Sequence, residues 1–441
     1  MFARLLYTLA LYLAAPLAWL WMAKRARKAG GEWGILAPQR FGRYDGPAAR
    51  ARPVWVHAVS LGETRAAQPL VRALLDRGLP VLLTHATPTG RAEGERLFPA
   101  AMAGGRLLQA WLPYDFPGAV RGFMRHFRPR CGVLIEREIW PNLLARARVD
   151  GVPMVLASAR FSEASLRQSR WLGAAMHDAL AGLHAVLAQT ETDARRLRAA
   201  GAREPRVAGN LKFDLVLPAA PVAAGRAWRK ALDRPVVAIA STREGEDARF
   251  VDAIARADAR ALFLLIPRHP QRFDEAADRL SRAGLRYVRR STLAGSGGTT
   301  GPVPAGGAAM PDMVGPEVRV VLGDTLGEMP FHYAACDVAI VAGSFAPFGG
   351  QNLIEACAAG APVIVGPHTR NFEQAAEDAI AAGAALRVAD AEAAVQTALR
   401  LLGDQVARGA MRQAAEAWIA HHGGAAQRVM EALPLDDPAG E

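Results

Sequence analysis

The chain of 441 residues predicts an α/β protein: two successive Rossmann-like, doubly wound parallel-sheet domains behind an N-terminal hydrophobic membrane-anchor helix. Three observations carry that expectation. The length exceeds that of one ordinary domain; short β-branched runs alternate with amphipathic helical stretches on both sides of a Pro/Ala-rich break; and one long uncharged stretch lies near the amino end. With 51% hydrophobic and 22% charged residues, the composition supports packed cores and excludes a collagenous or wholly disordered chain.

The first element is Leu5 to Met22, an uncharged run of 18 residues, near the minimum for crossing a bilayer, with Tyr7, Tyr12, Trp19 and Trp21 as interfacial aromatics. Lys24, Arg25, Arg27 and Lys28 follow at once. A cleaved signal peptide would carry its charge before the apolar stretch and small residues at its end. Here the charge comes after, which by the positive-inside rule keeps the downstream body cytoplasmic. Pro16 leaves open whether the helix spans the bilayer or dips into one leaflet, and a buried core helix is the competing reading. Residues 1–28 are therefore taken as anchor and basic flank.

Residues 29–213 are expected to form the first α/β domain. Its strands are VWVHAVS (54–60), VLLTHAT (81–87), CGVLIE (131–136), MVLASAR (154–160) and AVLAQT (185–190). Helical patterns follow them, such as 64–78, 91–98, 142–151 and 191–201. DLVLPAAPVAAG (214–225) has the look of a linker. The second domain, 226–441, restarts with VVAIAST (236–242), ALFLLIP (261–267), VRVVLGDT (318–325), VAIVAGS (338–344) and PVIVGP (362–367). Residues 294–316, rich in Gly, Pro and Ala, read as an insertion. Such sheets bind ligands beyond the carboxyl ends of their strands, so the residues just after each strand are the ones to inspect.

Absences narrow the chemistry. There is no Walker phosphate loop, no G-x-G-x-x-G in the first βα turn and no H-E-x-x-H. No D-x-D pair is present to hold a metal, which favours a metal-free enzyme. Cys131, Cys336 and Cys357 are far apart and include no C-x-x-C, so a reduced compartment is the simplest expectation. The 53 Lys plus Arg against 42 Asp plus Glu give a net charge of +11, which suggests an anionic partner: nucleic acid, an acidic lipid surface or a phosphorylated substrate. With 7% aromatic residues and no zinc-finger or RRM signature, nucleic acid is not expected.

At the strand ends, Ser60-Leu61-Gly62-Glu63 offers Glu63 as a general base, or as a helix-start carboxylate favoured by the macrodipole. Glu136-Arg137-Glu138-Ile139-Trp140-Pro141-Asn142 puts two acids around an Arg, with a Pro suited to a helix start. Arg268, after Pro267, fits a phosphate or a plain surface turn. Gly349-Gly350 before Gln351-Asn352-Leu353-Ile354-Glu355 would leave N–H groups free for an anion at a helix N-terminus. Glu355, one turn on from Gln351, could accept ribose hydroxyls or lie exposed on the helix.

Taken together, HAVSLGE (57–63), EREIWPN (136–142), ASARFSE (157–163), GNLKFD (209–214), ASTREGE (240–246), PRHPQRF (267–273), DTLGEM (324–329) and GGQNLIEA (349–356) resemble the 3-deoxy-D-manno-octulosonic acid (Kdo) transferases of lipid A assembly, which are GT-B glycosyltransferases. Where the family commonly has Thr, His and His, this chain has Arg137, Gln351 and Arg243. The resemblance implies CMP-Kdo as donor and a phosphorylated lipid A precursor as acceptor. It also implies inverting, metal-independent transfer with no cofactor, in an acceptor-binding first domain and a CMP-sugar-binding second one. The general base falls on Glu63, and transition-state support on Glu136 and Lys212. Donor contacts fall on Pro267, Arg268, Leu326, Gly327, Glu328, Asn352, Leu353, Ile354 and Glu355. The expected location is the cytoplasmic face of the inner membrane. Another GT-B enzyme acting on a lipid carrier, and a non-catalytic anionic-lipid-binding protein, are the alternatives.

Overall fold

The computed structural model describes residues 2–28, 33–45, 52–257, 260–293 and 314–435. Most of the expected insertion, 294–313, lies outside them. Two seven-stranded sheets are present, and every strand pair in both is parallel. The first contains β1 (Val54–His57), β2 (Val81–His85), β3 (Leu107–Trp111), β4 (Cys131–Ile135), β5 (Met154–Ala159), β6 (Ala185–Ala188) and β7 (Arg206–Val207), in the order β3-β2-β1-β4-β5-β6-β7. The second contains β8 (Val236–Thr242), β9 (Leu262–Pro267), β10 (Tyr287–Arg289), β11 (Val320–Leu322), β12 (Val338–Val341), β13 (Val363–Val365) and β14 (Ala385–Arg387), in the order β10-β11-β9-β8-β12-β13-β14.

Each order reverses once, between β1 and β4 in the first sheet and between β8 and β12 in the second. At such a switch point neighbouring connections leave in opposite directions and open a crevice at the carboxyl ends. Alternation along the central strands fills both faces. Trp55 packs with Leu82, Phe123 and Leu134 on one side, while Val54 and Val56 join Leu70, Leu74 and Val133 on the other.

The division of the chain differs from the expected 226–441 second domain. One compact unit comprises residues 1–215 and 422–441, and the other residues 216–421. The supposed linker is largely helical: Ala219–Ala231 is an α-helix after Pro218, and Trp228 buries itself beside Phe331. Proline is compatible with a first turn, so a Pro/Ala-rich string can start a helix as readily as interrupt one.

The carboxyl-terminal helix Ala425–Ala432 returns to the first unit because Val429, Met430 and Leu433 complete its core with Leu70 and Leu74. The Asp214 carboxylate accepts the Gly424 and Ala426 N–H groups at that helix's start, and Phe213 stacks on His422 at 4.8 Å. Asp214→Ala leaves these helix-start donors without their acceptor. The expected result is a loss of about 1 kcal/mol in the unfolding free energy of the first unit, measured by denaturant titration.

The N-terminal helix, α1 (Phe2–Lys28), is long and apolar enough to cross a membrane. It lies on the first unit with Ala15 and Ala26 buried and most of its other side chains exposed.

Candidate functional site

In the first unit the switch point gathers the acidic residues. After β1 the chain turns into the second helix, α2 (Leu61–Asp76), whose start is capped by Ser60. The Ser60 Oγ accepts from the Glu63 N–H at 3.4 Å and donates back to Glu63 Oε1 at 3.2 Å, while Glu63 Oε2 accepts from the Val59 N–H at 2.7 Å. This capping box fixes the carboxyl group. The helix-start reading of Glu63 holds, and the same geometry leaves its carboxyl group at the switch point. Burial pushes its carboxyl up to about 7, Glu136 and to a lesser degree Glu138 push the same way, and the Val59 and Ser60 hydrogen bonds oppose them.

Glu136 follows β4 with φ of +63°, a conformation that disfavours a side chain and is found where surrounding structure holds it. Its Oε1 lies 2.6 Å from Lys212 Nζ, which is delivered by a short 3-10 turn, Leu211–Asp214, capped by Asn210. Ser158, also at positive φ (+51°), ties that turn down: its Oγ donates to Asn210 Oδ1 and accepts from the Leu211 N–H, each at 3.3 Å. Glu138 accepts from Trp140 Nε1 at 2.9 Å, and its Oε2 lies 3.7 Å from Nε2 of the fully buried His57, whose Nδ1 faces Thr84. Glu63, Glu136 and Lys212, far apart in sequence, are thus brought to the carboxyl end of the first sheet.

In the second unit Arg268 leaves the end of β9, exposed, with its N–H donated to Thr242 O at 3.0 Å. Tyr333 is fully buried, and its phenol is pushed up by burial, with Glu355 adding to the rise and Arg268 opposing it. Arg268 and Glu355 therefore share the surroundings of one phenol. After β11, Leu326 is exposed, Gly327 has φ of +82°, and Glu328 accepts from Arg290 Nη2 at 2.7 Å and from Thr325 Oγ1. The Arg290 guanidinium is itself buried and lies 4.8 Å from the Phe331 ring centroid, so both Glu328 oxygens are already engaged.

The Gly349-Gly350 expectation needs correction. Both glycines have positive φ, but the Gly350 N–H is donated to Gly343 O at 2.7 Å. The helix begins only at Ile354 and ends at Ala358, with Asn352 Oδ1 accepting the Ile354 N–H at 3.1 Å. The glycine pair therefore closes a loop onto Gly343, just past β12, Gln351 is not helical, and the expected one-turn spacing to Glu355 does not form. Another carboxylate, not singled out from the sequence, organises this edge. Glu246, fully buried, accepts the N–H groups of Arg243 (2.8 Å), Gly343 (2.7 Å) and Phe345 (2.9 Å). Arg243 and Gln351 both lie against Gly343. Among the described residues, no group of three or more His, Cys, Asp or Glu side chains converges as a metal site.

Comparison with known proteins is specific. Residues 37–215 match the family model of 3-deoxy-D-manno-octulosonic-acid transferase (kdotransferase), and residues 312–418 that of glycosyl transferases group 1. The 3-deoxy-D-manno-octulosonic acid transferase of Bordetella pertussis is 63% identical over 97% of this chain and 98% of its own length. The chain belongs to the Kdo transferase family. The Haemophilus influenzae member is 29% identical over 98% of both chains.

Two solved structures share the fold of this Kdo transferase at 14% identity: Neisseria meningitidis UDP-GlcNAc 2-epimerase bound to UDP-GlcNAc (TM-score 0.55, 87% of this chain and 100% of that one) and Anabaena HepE in complex with UDP (TM-score 0.53, 86% and 98%). The Kdo transferase is thus a glycosyltransferase of two Rossmann-like units, as its sequence predicts. His57, Ser158, Glu246 and Arg290 are the residues that sequence reasoning missed. His57, Ser158 and Glu246 lay inside the strings HAVSLGE, ASARFSE and ASTREGE without being singled out, and Arg290 showed only as a basic residue just after a short strand.

Proposed function

We propose that this Kdo transferase moves Kdo from CMP-Kdo to the phosphorylated glucosamine disaccharide of the lipid A precursor, lipid IVA, with inversion and without a metal, in lipopolysaccharide core biosynthesis. The observation that carries the mechanism is Glu63: a carboxyl group fixed at a switch point, with a proton affinity near neutrality. A base matched to the working pH can take a proton from a sugar hydroxyl as that oxygen attacks. Glu63 accepts the acceptor's proton, the new bond forms at the anomeric carbon of Kdo, and CMP leaves with its bond electrons. Lys212, held by Glu136, and Arg268 offset the negative charge of the Kdo carboxylate and the departing phosphate.

Pro267, Arg268, Leu326, Gly327, Glu328 and Asn352 through Glu355 form the donor side. Because Glu328 is engaged by Arg290 and Thr325, its part is to shape the Leu326-Gly327 turn. The α1 helix and its basic flank hold the enzyme at the cytoplasmic face of the inner membrane, each basic residue near anionic lipid contributing about 1 kcal/mol. Mixing enzyme, CMP-Kdo and lipid IVA, then finding product heavier by one or more Kdo, tests the reading; no transfer by folded protein would overturn it. Cationic side chains, not a metal, meet the charge here, so chelation with EDTA is expected to leave the initial rate unchanged. CMP is expected to inhibit and UDP not to. Inhibition by UDP would favour a different nucleotide sugar.

A further inference from the structure

The α1 helix is fastened to the catalytic unit along one face. Near its start, Tyr7 Oη donates to Asp115 Oδ2 at 2.9 Å, and Thr8 Oγ1 accepts from Asn142 Nδ2 at 3.0 Å. Midway, Tyr12 stacks on Phe116 at 4.6 Å and Ala15 is buried. Further on, Trp19 packs on Phe41, Tyr114 and Phe116. Asp115 is buried and also accepts the Asn142 and Leu143 N–H groups at 3.0 and 2.7 Å, capping the helix Pro141–Val149. Asn142 closes the segment that begins with Glu136.

This fastening constrains how the helix can enter a membrane. From Tyr7 to Lys24 it advances about 25 Å at the usual rise per residue, against a hydrocarbon core of about 30 Å. If α1 crossed the bilayer with Lys24 at the cytoplasmic interface, Tyr7 would approach the opposite interface. It would carry with it Asp115, Asn142 and the start of a helix adjoining Glu136. The catalytic unit docked along α1 would then sit in the hydrocarbon, with exposed charges such as Arg121 and Arg125 stripped of water, which is costly. The opposite face of α1 presents Leu5, Leu9, Leu13, Leu17, Leu20 and Trp21, all exposed. These fall on one side of the cylinder, away from the bound face.

We propose that α1 lies along the membrane plane, sunk in the acyl layer of one anionic leaflet while its other face stays docked on the catalytic unit. This placement rests on reading α1 as the membrane anchor. Charge supports the occupant: Lys24, Arg25 and Arg27 close the helix, and Arg121 and Arg125 are exposed on the helix Pro117–Phe127, whose Ala119 packs with Ala15 and Phe116. A second aromatic anchor is Trp171, 81% exposed on the helix Glu163–Leu172 beside exposed Arg167 and Arg170. The next helix, Ala174–Ala181, packs against α1. A helix covered by protein on one side and lipid on the other needs no polar face of its own.

Nitroxide labels on Leu5→Cys, Leu13→Cys and Leu20→Cys in the full-length enzyme test the placement, since the three native cysteines are buried. In vesicles of phosphatidylethanolamine and phosphatidylglycerol the three labels are expected at one shallow depth. A deep Leu13 label between two shallow ones would show a spanning helix and overturn the proposal. Spin–spin broadening between copies would make the face a dimer contact and overturn it too. In cells, Arg4→Cys is expected to react with an impermeant maleimide in inverted vesicles but not in spheroplasts; reaction from the outer side, or from neither side, overturns it. Protein that fails to sediment with membranes would instead overturn the anchor reading itself.

Discussion

Glu63→Gln is expected to yield a folded enzyme that binds CMP as the wild type does and transfers Kdo about 10²–10⁴-fold more slowly, the usual span for removing a general base. Gln keeps an oxygen to accept from the Val59 N–H, so helix α2 still begins at the same place and the loss falls on the turnover rate. The wild type carries a companion signature. Because burial and Glu136 raise the Glu63 carboxyl to about 7, and only its ionised form takes a proton, transfer is expected to rise with pH through neutrality and level off above it. The mutant loses that rise. Initial rates between pH 5.5 and 8.5 with isothermal titration of CMP decide the matter: a mutant near wild-type turnover, or a wild-type rate flat across that range, removes Glu63 from the role.

The second large effect is expected at Lys212. Lys212→Met removes the ammonium group 2.6 Å from Glu136 Oε1 and leaves that carboxylate without its counter-charge in a left-handed turn close to Glu63. Like charges in one site favour the protonated form of either. The Glu63 carboxyl therefore moves higher still, and the acid limb of the rate profile shifts to higher pH. Turnover at neutral pH is expected to fall about 10²-fold from the lost electrostatic support alone. Lys212→Arg restores a charge, so it is expected to return the pH profile toward that of the wild type while recovering only part of the rate, because a guanidinium does not match a point-charge site. An unchanged acid limb in Lys212→Met would mean that the pair does not govern Glu63.

The sheets were legible because buried parallel strands advertise themselves: CGVLI and LFLLI are apolar on both faces and bounded by turns. The strands that escaped notice, β3, β7, β10 and β14, are partly exposed or short, and an edge strand carries half the pattern. The C-terminal return was hidden for another reason. Val429 and Met430 read as the apolar face of an ordinary helix, and nothing local says which core they complete. Within the site, Glu63, Glu136 and Arg268 could be found because each lies in the turn or first helical turn that follows an apolar strand. The Glu136–Lys212 pair spans 76 residues and depends on Ser158 and Asn210 to set a turn, which the sequence cannot display without a partner to compare. The Gly349-Gly350 expectation failed because a glycine pair announces backbone freedom, and the structure spends the Gly350 N–H on Gly343, just past β12, while the helix starts only at Ile354.

Glu246 has a consequence for how this edge of the second sheet can handle anions. The amides of Arg243, Gly343 and Phe345 converge at the ends of β8 and β12, as they would around a bound phosphate, yet the oxygens of Glu246 already fill that hollow. The protein has built a permanent occupant into its own nest. These three amides are therefore closed to an incoming anion, so any grip this end of the sheet has on one must come from other donors.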